Sequence, residues 1–446
     1  MMTPESRTVR RVFWFAIYLA PIVAPLLVFL LARTPSGKGL GWDLGVGFGI
    51  VGLLMMGTQF LLTARFRRAT APFGIDIIYY FHRYVGYVIV IVIVLHLAIL
   101  ITSNPDLVKM INPFSGSGSW PMIAGAGSAV LLLFLVAISA FRKALGLPYK
   151  IWRISHLILA VGAVMLGFFH LFEIGFQTRA TALNVLWILI GFSLVAVVVR
   201  VRVIRPLKLR RTPWKVADAV SERGDSWTLT LTPNGHAGFA FQPGQFAWLT
   251  LRHSPFAMQE HPFSIASAPA PDGRVQFTIK ELGDFTRSLG KIQPGETAYV
   301  DGPYGVFSID CHPEASGYVF IAGGIGISPM VGMLRALAER GDQRRHVLIA
   351  AHASWDRVPL RDEIARLQGL LNLKVVHVLE NPPEEWAGER GWINRDMLDR
   401  SLPGDDRPGL DYFLCGPLPM TRAVEGFLWE LAVPVGRVHI ELFDMV

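Results

Sequence analysis

Hydrophobic positions along the chain fall into two regimes. Up to about residue 203 they form long runs free of Asp, Glu, Lys and Arg, over Val12 to Ala32, Leu44 to Ala64, Tyr84 to Thr102, Trp120 to Phe141, Ile154 to Phe172 and Ala182 to Val199. Each is close to the roughly 17 to 25 residues that a helix needs to cross about 30 Å of hydrocarbon, so six transmembrane helices are expected. The first run exceeds a signal-peptide core and no A-x-A-like site follows it, so it too is read as a span. Beyond residue 203 the runs shorten. Segments such as Ser226 to Thr232 and Val275 to Lys280 predict a small antiparallel barrel between about Pro213 and Ser308. Tyr318 to Ala322, His346 to Ala351 and Leu373 to Val378, with a helix at Leu360 to Leu371, predict a parallel α/β sheet. The expected organisation is multidomain: a six-helix transmembrane bundle over residues 1–206, an antiparallel β-barrel over 207–312 and an α/β Rossmann-like domain over 313–446.

Composition supports the membrane half, because 52% hydrophobic residues and a mean hydropathy of +0.41 exceed what a soluble enzyme of 446 residues normally carries. The net charge of +8 reads as topology and implies no nucleic-acid partner. Basic residues cluster at Arg7, Arg10 and Arg11, at Arg65, Arg67 and Arg68, at Arg142 and Lys143, and from Arg200 to Arg211, whereas the alternate loops hold only Arg33, Lys38, Lys109 and Arg179. The positive-inside rule then places both termini, and the whole later half, in the cytoplasm beneath a bacterial-type plasma membrane. The loop Ser103 to Ser119, rich in Gly, Ser, Asn and Pro, faces the other side and is expected to be irregular. Cys311 and Cys415 make no metal-ligand spacing, which argues against a disulfide framework, a zinc site or an iron–sulfur cluster.

Four histidines belong to the membrane half. His82 and His96 flank or lie in the third run and His156 and His170 occupy the fifth, each pair 14 residues apart. On a helix that spacing returns to within about 40° of one face and covers about 21 Å. Each helix thereby offers one imidazole near each membrane surface. A lone buried histidine reads more readily as a hydrogen-bonding core residue, but two helices with one spacing favour a shared ligand role, and imidazole is a common axial ligand of haem iron. His82 with His156 would hold an inner b-type haem and His96 with His170 an outer one. Arg83 and Arg153 near the inner pair could meet propionates or simply be interfacial arginines. The rival reading, a proton relay in a transporter or a plain membrane anchor, is disfavoured by the symmetric spacing and by the lack of Asp, Glu or Lys within the apolar runs.

Behind the Tyr318 to Ala322 strand comes Gly323-Gly324-Ile325-Gly326-Ile327-Ser328-Pro329, then a helical pattern through Met333, Leu334 and Leu337. Strand, glycine turn and helix N-terminus form the context in which backbone amides bind phosphate. The turn is not the spaced GxGxxG fingerprint. Its place behind a barrel and ahead of Cys415-Gly416-Pro417 is what makes it informative. Around it stand, in order, Pro243 to Phe246 (PGQF), His261-Pro262-Phe263-Ser264 opening HPFSIASAP, Gly283-Asp284-Phe285-Thr286, and Gly302 to Gly305 (GPYG). This ordered set resembles the ferredoxin-NADP reductase superfamily in the variant used by NADPH oxidases and ferric reductases. The membrane half resembles the ferric reductase transmembrane domain, including GIDIIYYFHRYVGY at Gly74 to Tyr87.

The resemblance implies FAD on the barrel, with Phe263 against the isoalloxazine, Ser264 near its reactive nitrogen, Pro262 and Gly283 in the same signatures, and His261 and Thr286 towards its phosphates. It implies NADPH or NADH on Gly323, Gly324, Gly326 and Ser328, with Cys415, Gly416 and Pro417 near the nicotinamide and Phe443 over the flavin. Ser264, Cys415 and Phe443 are the catalytic candidates. Where relatives hold the 2′-phosphate with arginine, this chain reads Ala353-Ser354-Trp355-Asp356-Arg357, which leaves two alternatives, Arg357 in that role or a preference for NADH. The implied activity is that of a transmembrane NAD(P)H oxidoreductase delivering electrons through FAD and two haems to an extracytoplasmic small molecule. Outward loops without a dense His, Cys or carboxylate cluster tilt the acceptor towards O2 over a ferric chelate, with a quinone as a third option. A haem-free membrane-anchored flavin reductase is the remaining alternative.

Overall fold

The computed structural model describes residues 38–65, 75–174, 181–404 and 406–442, with scattered positions between 12 and 27. The expected first span lies largely outside the described residues. The chain divides into two compact units, the second beginning at Leu207 apart from residues 74–76.

Among the described residues, the helices of the first unit are α1 (Leu40–Thr63), α2 (Ile75–Ser103), α3 (Leu107–Ile111), α4 (Trp120–Ala140), α5 (Tyr149–Ile174) and α6 (Thr181–Val199), the last running through a π turn at Arg200–Ile204 into α7 (Arg205–Arg211), which leads into the second unit. Among the described residues, five helices are long and apolar enough to cross a membrane. Helix α2 begins nine residues before the apolar run at Tyr84, because Asp76, His82 and Arg83 interrupt the hydropathy without breaking the helix. The expected irregular loop contains α3. One core joins Ile50, Leu53 and Leu54 of α1 to Leu171 of α5 and Trp187 of α6. A second gathers Met56, Ile89, Leu132, Ala163 and Val164. Lipid is as apolar as these side chains, so close backbone approach has to supply much of the association. On α1, Gly45, Gly49 and Gly52 abut Leu100, His96 and Ile93 of α2, and a β-carbon at any of the three would stand 2.8 Å or less from its neighbour.

The second unit holds two sheets. The antiparallel one comprises β1 (Trp214–Glu222), β2 (Ser226–Pro233), β3 (Phe246–Leu251), β4 (His261–Ser264), β5 (Val275–Lys280) and β6 (Thr297–Tyr304), with the short helix α8 (Asp284–Arg287) before β6. Its order is β4-β3-β6-β1-β2-β5, and an isolated bridge pairs Ile265, just past β4, with Phe277 of β5. Leu229, Leu231, Leu249, Val275 and Phe277 fill its interior.

The parallel sheet comprises β7 (Gly317–Gly323), β8 (Arg345–His352), β9 (Leu373–Leu379), β10 (Glu389–Arg390), β11 (Asp411–Cys415) and β12 (Val438–Glu441), in the order β10-β9-β8-β7-β11-β12. Helices α9 (Ile327–Glu339) and α10 (Arg361–Leu370) cover one face, while α11 (Arg395–Ser401) and α12 (Leu418–Glu430) cover the other. Tyr318, Phe320 and Ala322 of β7 enter the first core and Val319 and Ile321 the second. A central strand buried on both faces reads as an unbroken apolar run, which is why the sequence marks β7 so clearly.

Candidate functional site

In the parallel sheet the strand order reverses between β7 and β11, and a crevice outside the carboxyl ends of the strands at such a switch is the usual ligand position of an open α/β sheet. The glycine turn follows β7 and Cys415-Gly416-Pro417 follows β11, with Cys415 paired in register with Ala322. The two loops pack tightly: a β-carbon on Gly326 would collide with the Cys415 carbonyl, and one on Gly323 would lie 2.6 Å from Met420 Sδ and 2.9 Å from Pro417 Cδ. Gly324 adopts a φ of +55°, in the left-handed region. Ser328, second in α9, has a buried hydroxyl with no hydrogen-bond partner among the described residues, set at a helix end that favours anions. Cys415 is fully buried, and burial, with the Glu441 carboxylate beside it, pushes its thiol well above the ordinary value. It is therefore a neutral packing group, not a thiolate nucleophile.

Three motif segments of the antiparallel sheet become neighbours through the order β4-β3-β6. Phe246 pairs with Ser264 on one side and Tyr304 on the other, and Ala247 pairs with Phe263. Gln245 Nε2 donates to the Gly305 carbonyl at 2.9 Å. Phe263 is half-buried and lies nearly parallel to Phe285 with ring centres 5.9 Å apart, while His261 stacks on Phe285 at 4.3 Å. Ser264 is buried. Thr286 Oγ1 accepts from the backbone N–H groups of Leu282 and Gly283 at 2.8 and 2.9 Å, so it holds the turn opening α8. Phe443 lies outside the described residues.

The two sheets meet where these loops lie. Gly332 of α9 abuts the Ile265 carbonyl, leaving 2.7 Å for a β-carbon. One turn on, Arg335 Nη1 donates to the Ala266 carbonyl and to Gln276 Oε1, both at 2.8 Å, while its Nε donates to Glu363 at 2.7 Å. Arg357 pairs with Asp225 of the β1–β2 turn, so its guanidinium is already engaged. Residues that single-motif reading missed include Glu441, buried and in register with Cys415, and Arg335, whose only sequence signal is a charge inside the apolar pattern of α9.

Within the first unit the four histidines are held by different partners. His96 Nδ1 donates to the Gly45 carbonyl and His170 Nδ1 to the Pro121 carbonyl, each at 2.7 Å. A carbonyl can only accept, so both rings carry the proton on Nδ1 and leave Nε2 as the lone-pair nitrogen. A β-carbon on Gly49 or on Gly125 would come within 2.6 Å of these same rings. Ser139 commits its hydroxyl proton to the Leu135 carbonyl at 2.7 Å and accepts from Trp152 Nε1 at 3.2 Å, so at 3.1 Å it can only accept from His156 Nδ1. His82 Nδ1 is buried without a hydrogen-bond partner among the described residues. The His82 and His156 ring centres stand 6.2 Å apart. Two metal–imidazole bonds of about 2 Å, plus the depth of each ring behind its nitrogen, bring ring centres roughly 6 Å apart across one ion. That donor set and spacing fit a bis-imidazole iron.

Comparison with known proteins agrees with this layout. Residues 48–167 match the family described as ferric reductase like transmembrane component, residues 215–308 an FAD-binding domain and residues 320–426 an oxidoreductase NAD-binding domain. NADH-cytochrome b5 reductase 1 of Cryptococcus neoformans is 34% identical over 185 residues, covering 39% of this chain and 63% of that protein. A stachydrine N-demethylase reductase subunit of Rhizobium meliloti is 34% identical over 219 residues, 48% of this chain and 60% of its own. The flavohemoprotein of Deinococcus radiodurans is 30% identical over 242 residues, 52% and 59% respectively. The chain thus spans less than two thirds of these curated relatives. Among solved structures, the ferredoxin reductase of carbazole 1,9a-dioxygenase aligns at a TM-score of 0.46 with 23% identity over 52% of this chain and 69% of that one. Together the three domain matches show an architecture in which a ferric reductase-like transmembrane component precedes FAD-binding and NAD-binding domains.

Proposed function

We propose that this protein is a transmembrane flavocytochrome b oxidoreductase that moves electrons from cytosolic NAD(P)H through FAD and two bis-histidine haems to an extracytoplasmic acceptor, with O2 favoured over a ferric chelate. The observation that carries the reading is the contact of α9 with the segment after β4, through Gly332 and Arg335, which sets the nucleotide crevice against the flavin-signature strand. When bound, the nicotinamide gives a hydride, the flavin converts two electrons to single ones and the haems pass them on.

The chain's own residues supply binding and alignment. Phe263 offers a flat half-buried wall and Ser264 a hydroxyl beside it, with His261 and Pro262 in the same strand. Gly283 and Thr286 fix the adjoining turn. The turn of Gly323, Gly324 and Gly326, packed on the Cys415 loop, would present a pyrophosphate to the α9 terminus and the Ser328 hydroxyl. The β11 loop that carries buried Cys415 with Gly416 and Pro417 would lie on the nicotinamide side, and the resemblance gives Phe443 the role of covering the flavin. Engagement of Arg357 by Asp225 favours NADH, as does the similarity to an NADH-cytochrome b5 reductase. His96 and His170 would hold the outer haem and His82 and His156 the inner one, with the Nδ1 partners of His96, His170 and His156 fixing the tautomer that ligation needs.

The test is an anaerobic visible spectrum of the detergent-purified protein, with haem quantified, before and after NADH or NADPH. Reduced b-type bands at about two haems per chain are expected. Readmitting O2 with a superoxide probe, or adding a ferric chelate, then assigns the acceptor. A haem-free protein that still oxidises NAD(P)H, after loss during purification is excluded, would leave only a membrane-anchored flavin reductase.

A further inference from the structure

At the end of the parallel sheet away from the nucleotide crevice, Asp411 opens β11. Four strand steps separate it from Cys415, roughly 13 Å by strand rise. Two imidazoles from other segments converge on it. His439, second in β12, sets Nε2 2.7 Å from Asp411 Oδ1, and His312, shortly before β7, sets Nδ1 3.6 Å from the same oxygen. The two rings stack with centres 3.7 Å apart and planes 29° from parallel. Arg437 Nη1 donates to the other carboxylate oxygen, Oδ2, at 2.7 Å, which turns Oδ1 alone towards the imidazoles. One ligand atom from each of the three side chains lies within 4.8 Å of the other two.

This is more than charge compensation for a buried carboxylate. Arg437 and His439 already make two hydrogen bonds to Asp411, yet His312 joins at a distance too long for an N–H···O bond. That distance suits ligands of a shared cation. With metal–ligand bonds of about 2.0 to 2.2 Å, neighbouring atoms of a tetrahedral set stand about 3.3 Å apart. Small movements from 2.7 and 3.6 Å reach that value. Arg437 fills the role of the hydrogen-bond donor that usually orients a ligating carboxylate. The side chains of His312 and His439 are 12% and 16% exposed, which leaves a path for an ion and an open position for water.

We propose that His312, Asp411 and His439 form a binding site for a first-row divalent transition-metal ion of the zinc class on the NAD-binding domain, separate from the nucleotide crevice. Two imidazoles and one carboxylate with an open fourth position are a common donor set for such ions. Binding displaces any proton on His312 Nδ1 and His439 Nε2 and clips the segment before β7 to the starts of β11 and β12. The sequence hides this site, because its ligands lie 99 and 28 residues apart and none belongs to a cysteine motif.

The experiment uses the full chain in detergent, treated with chelator and then titrated with Co2+ and Zn2+. The site is supported by visible cobalt d–d absorption saturating at about one ion per chain, its displacement by Zn2+, and a rise in the thermal midpoint on Zn2+ addition. His312→Ala and His439→Ala should each weaken Co2+ binding at least tenfold while NADH oxidation with an artificial acceptor is retained. Should either variant fail to fold, His439→Gln, which keeps a hydrogen-bond donor for Asp411 but offers no imidazole, takes its place. Absence of cobalt absorption and of a midpoint shift at millimolar Zn2+, or unchanged binding in the variants, overturns the proposal.

Discussion

His96 lies directly against Gly49, where a β-carbon would come within 2.6 Å of the ring atoms Cε1 and Nδ1. Gly125 and His170 repeat the relationship at the same distance. Glycine costs a helix about 1 kcal/mol relative to alanine, so two such positions at the two imidazoles call for a reason. Room for the ring while Nδ1 reaches a backbone carbonyl supplies one. Gly49→Val should therefore displace His96, lowering haem content from about two per chain to about one while leaving NADH-dependent flavin reduction in place. Pyridine haemochrome quantification checks this. A variant that keeps both haems would separate the glycine from the ligand role.

Gly326 has a φ of −58°, which any residue adopts, so its requirement comes from the Cys415 backbone facing it. In Gly326→Ala the turn and the Cys415 loop must part, opening the crevice by about a methyl radius. The expected result is a rise of tenfold or more in KM for NADH with a smaller change in kcat, because binding is lost before geometry at the flavin. Steady-state kinetics with an artificial acceptor, supported by direct nucleotide titration, reads this out. An unchanged KM would place the pyrophosphate elsewhere.

Arg335 links α9 to Ala266 and Gln276 and also pairs with Glu363. Its hydrogen bonds are charge-assisted and mostly sheltered, each worth about 1.5 to 3 kcal/mol when the partner is left unpaired. Arg335→Met keeps the stem and removes the donors. The rate of flavin reduction in anaerobic stopped flow should fall at least tenfold, since hydride transfer depends on alignment to within about 1 Å, while NADH affinity should change little. A parallel loss of affinity would instead mark Arg335 as part of the nucleotide site.

Much of this organisation was legible in the sequence because the signals are local. The strands Val275 to Lys280 and Tyr318 to Ala322 emerge at or within one residue of their expected limits, since alternation and an unbroken apolar run are properties of the strand alone. The glycine turn was readable for the same reason, although its contact with Cys415 depends on strand order. What stayed hidden is pairwise. Nothing in the order of residues brings Ser139 to His156, Arg335 to Ala266 or Gly49 to His96. The apolar run from Tyr84 begins nine residues inside α2 for another reason: hydropathy locates the apolar slab, whereas helix formation continues through the polar turn around His82.

Buried histidines in the NAD-binding domain are expected to govern its acid sensitivity. His346 and His352 are both lowered by burial to about 4 from an ordinary 6.5. A base whose folded pKa is depressed stabilises the fold fully above its unfolded value and loses that contribution as pH falls towards the folded one. Each therefore contributes up to about 3 kcal/mol above pH 6.5, lost between about 6.5 and 4. Asp342, lowered to about 2 because hydrogen bonds from Arg344 outweigh its burial, loses its contribution only below the ordinary aspartate range, so the two windows separate. Thermal midpoints of the full chain in detergent should be flat from pH 8 to about 6.5 and then decline steadily to pH 4.5. His352→Gln, which removes one buried proton acceptor, should shallow that decline by roughly half. An equally steep decline in this variant and in His346→Gln would assign the acid sensitivity to groups outside this sheet.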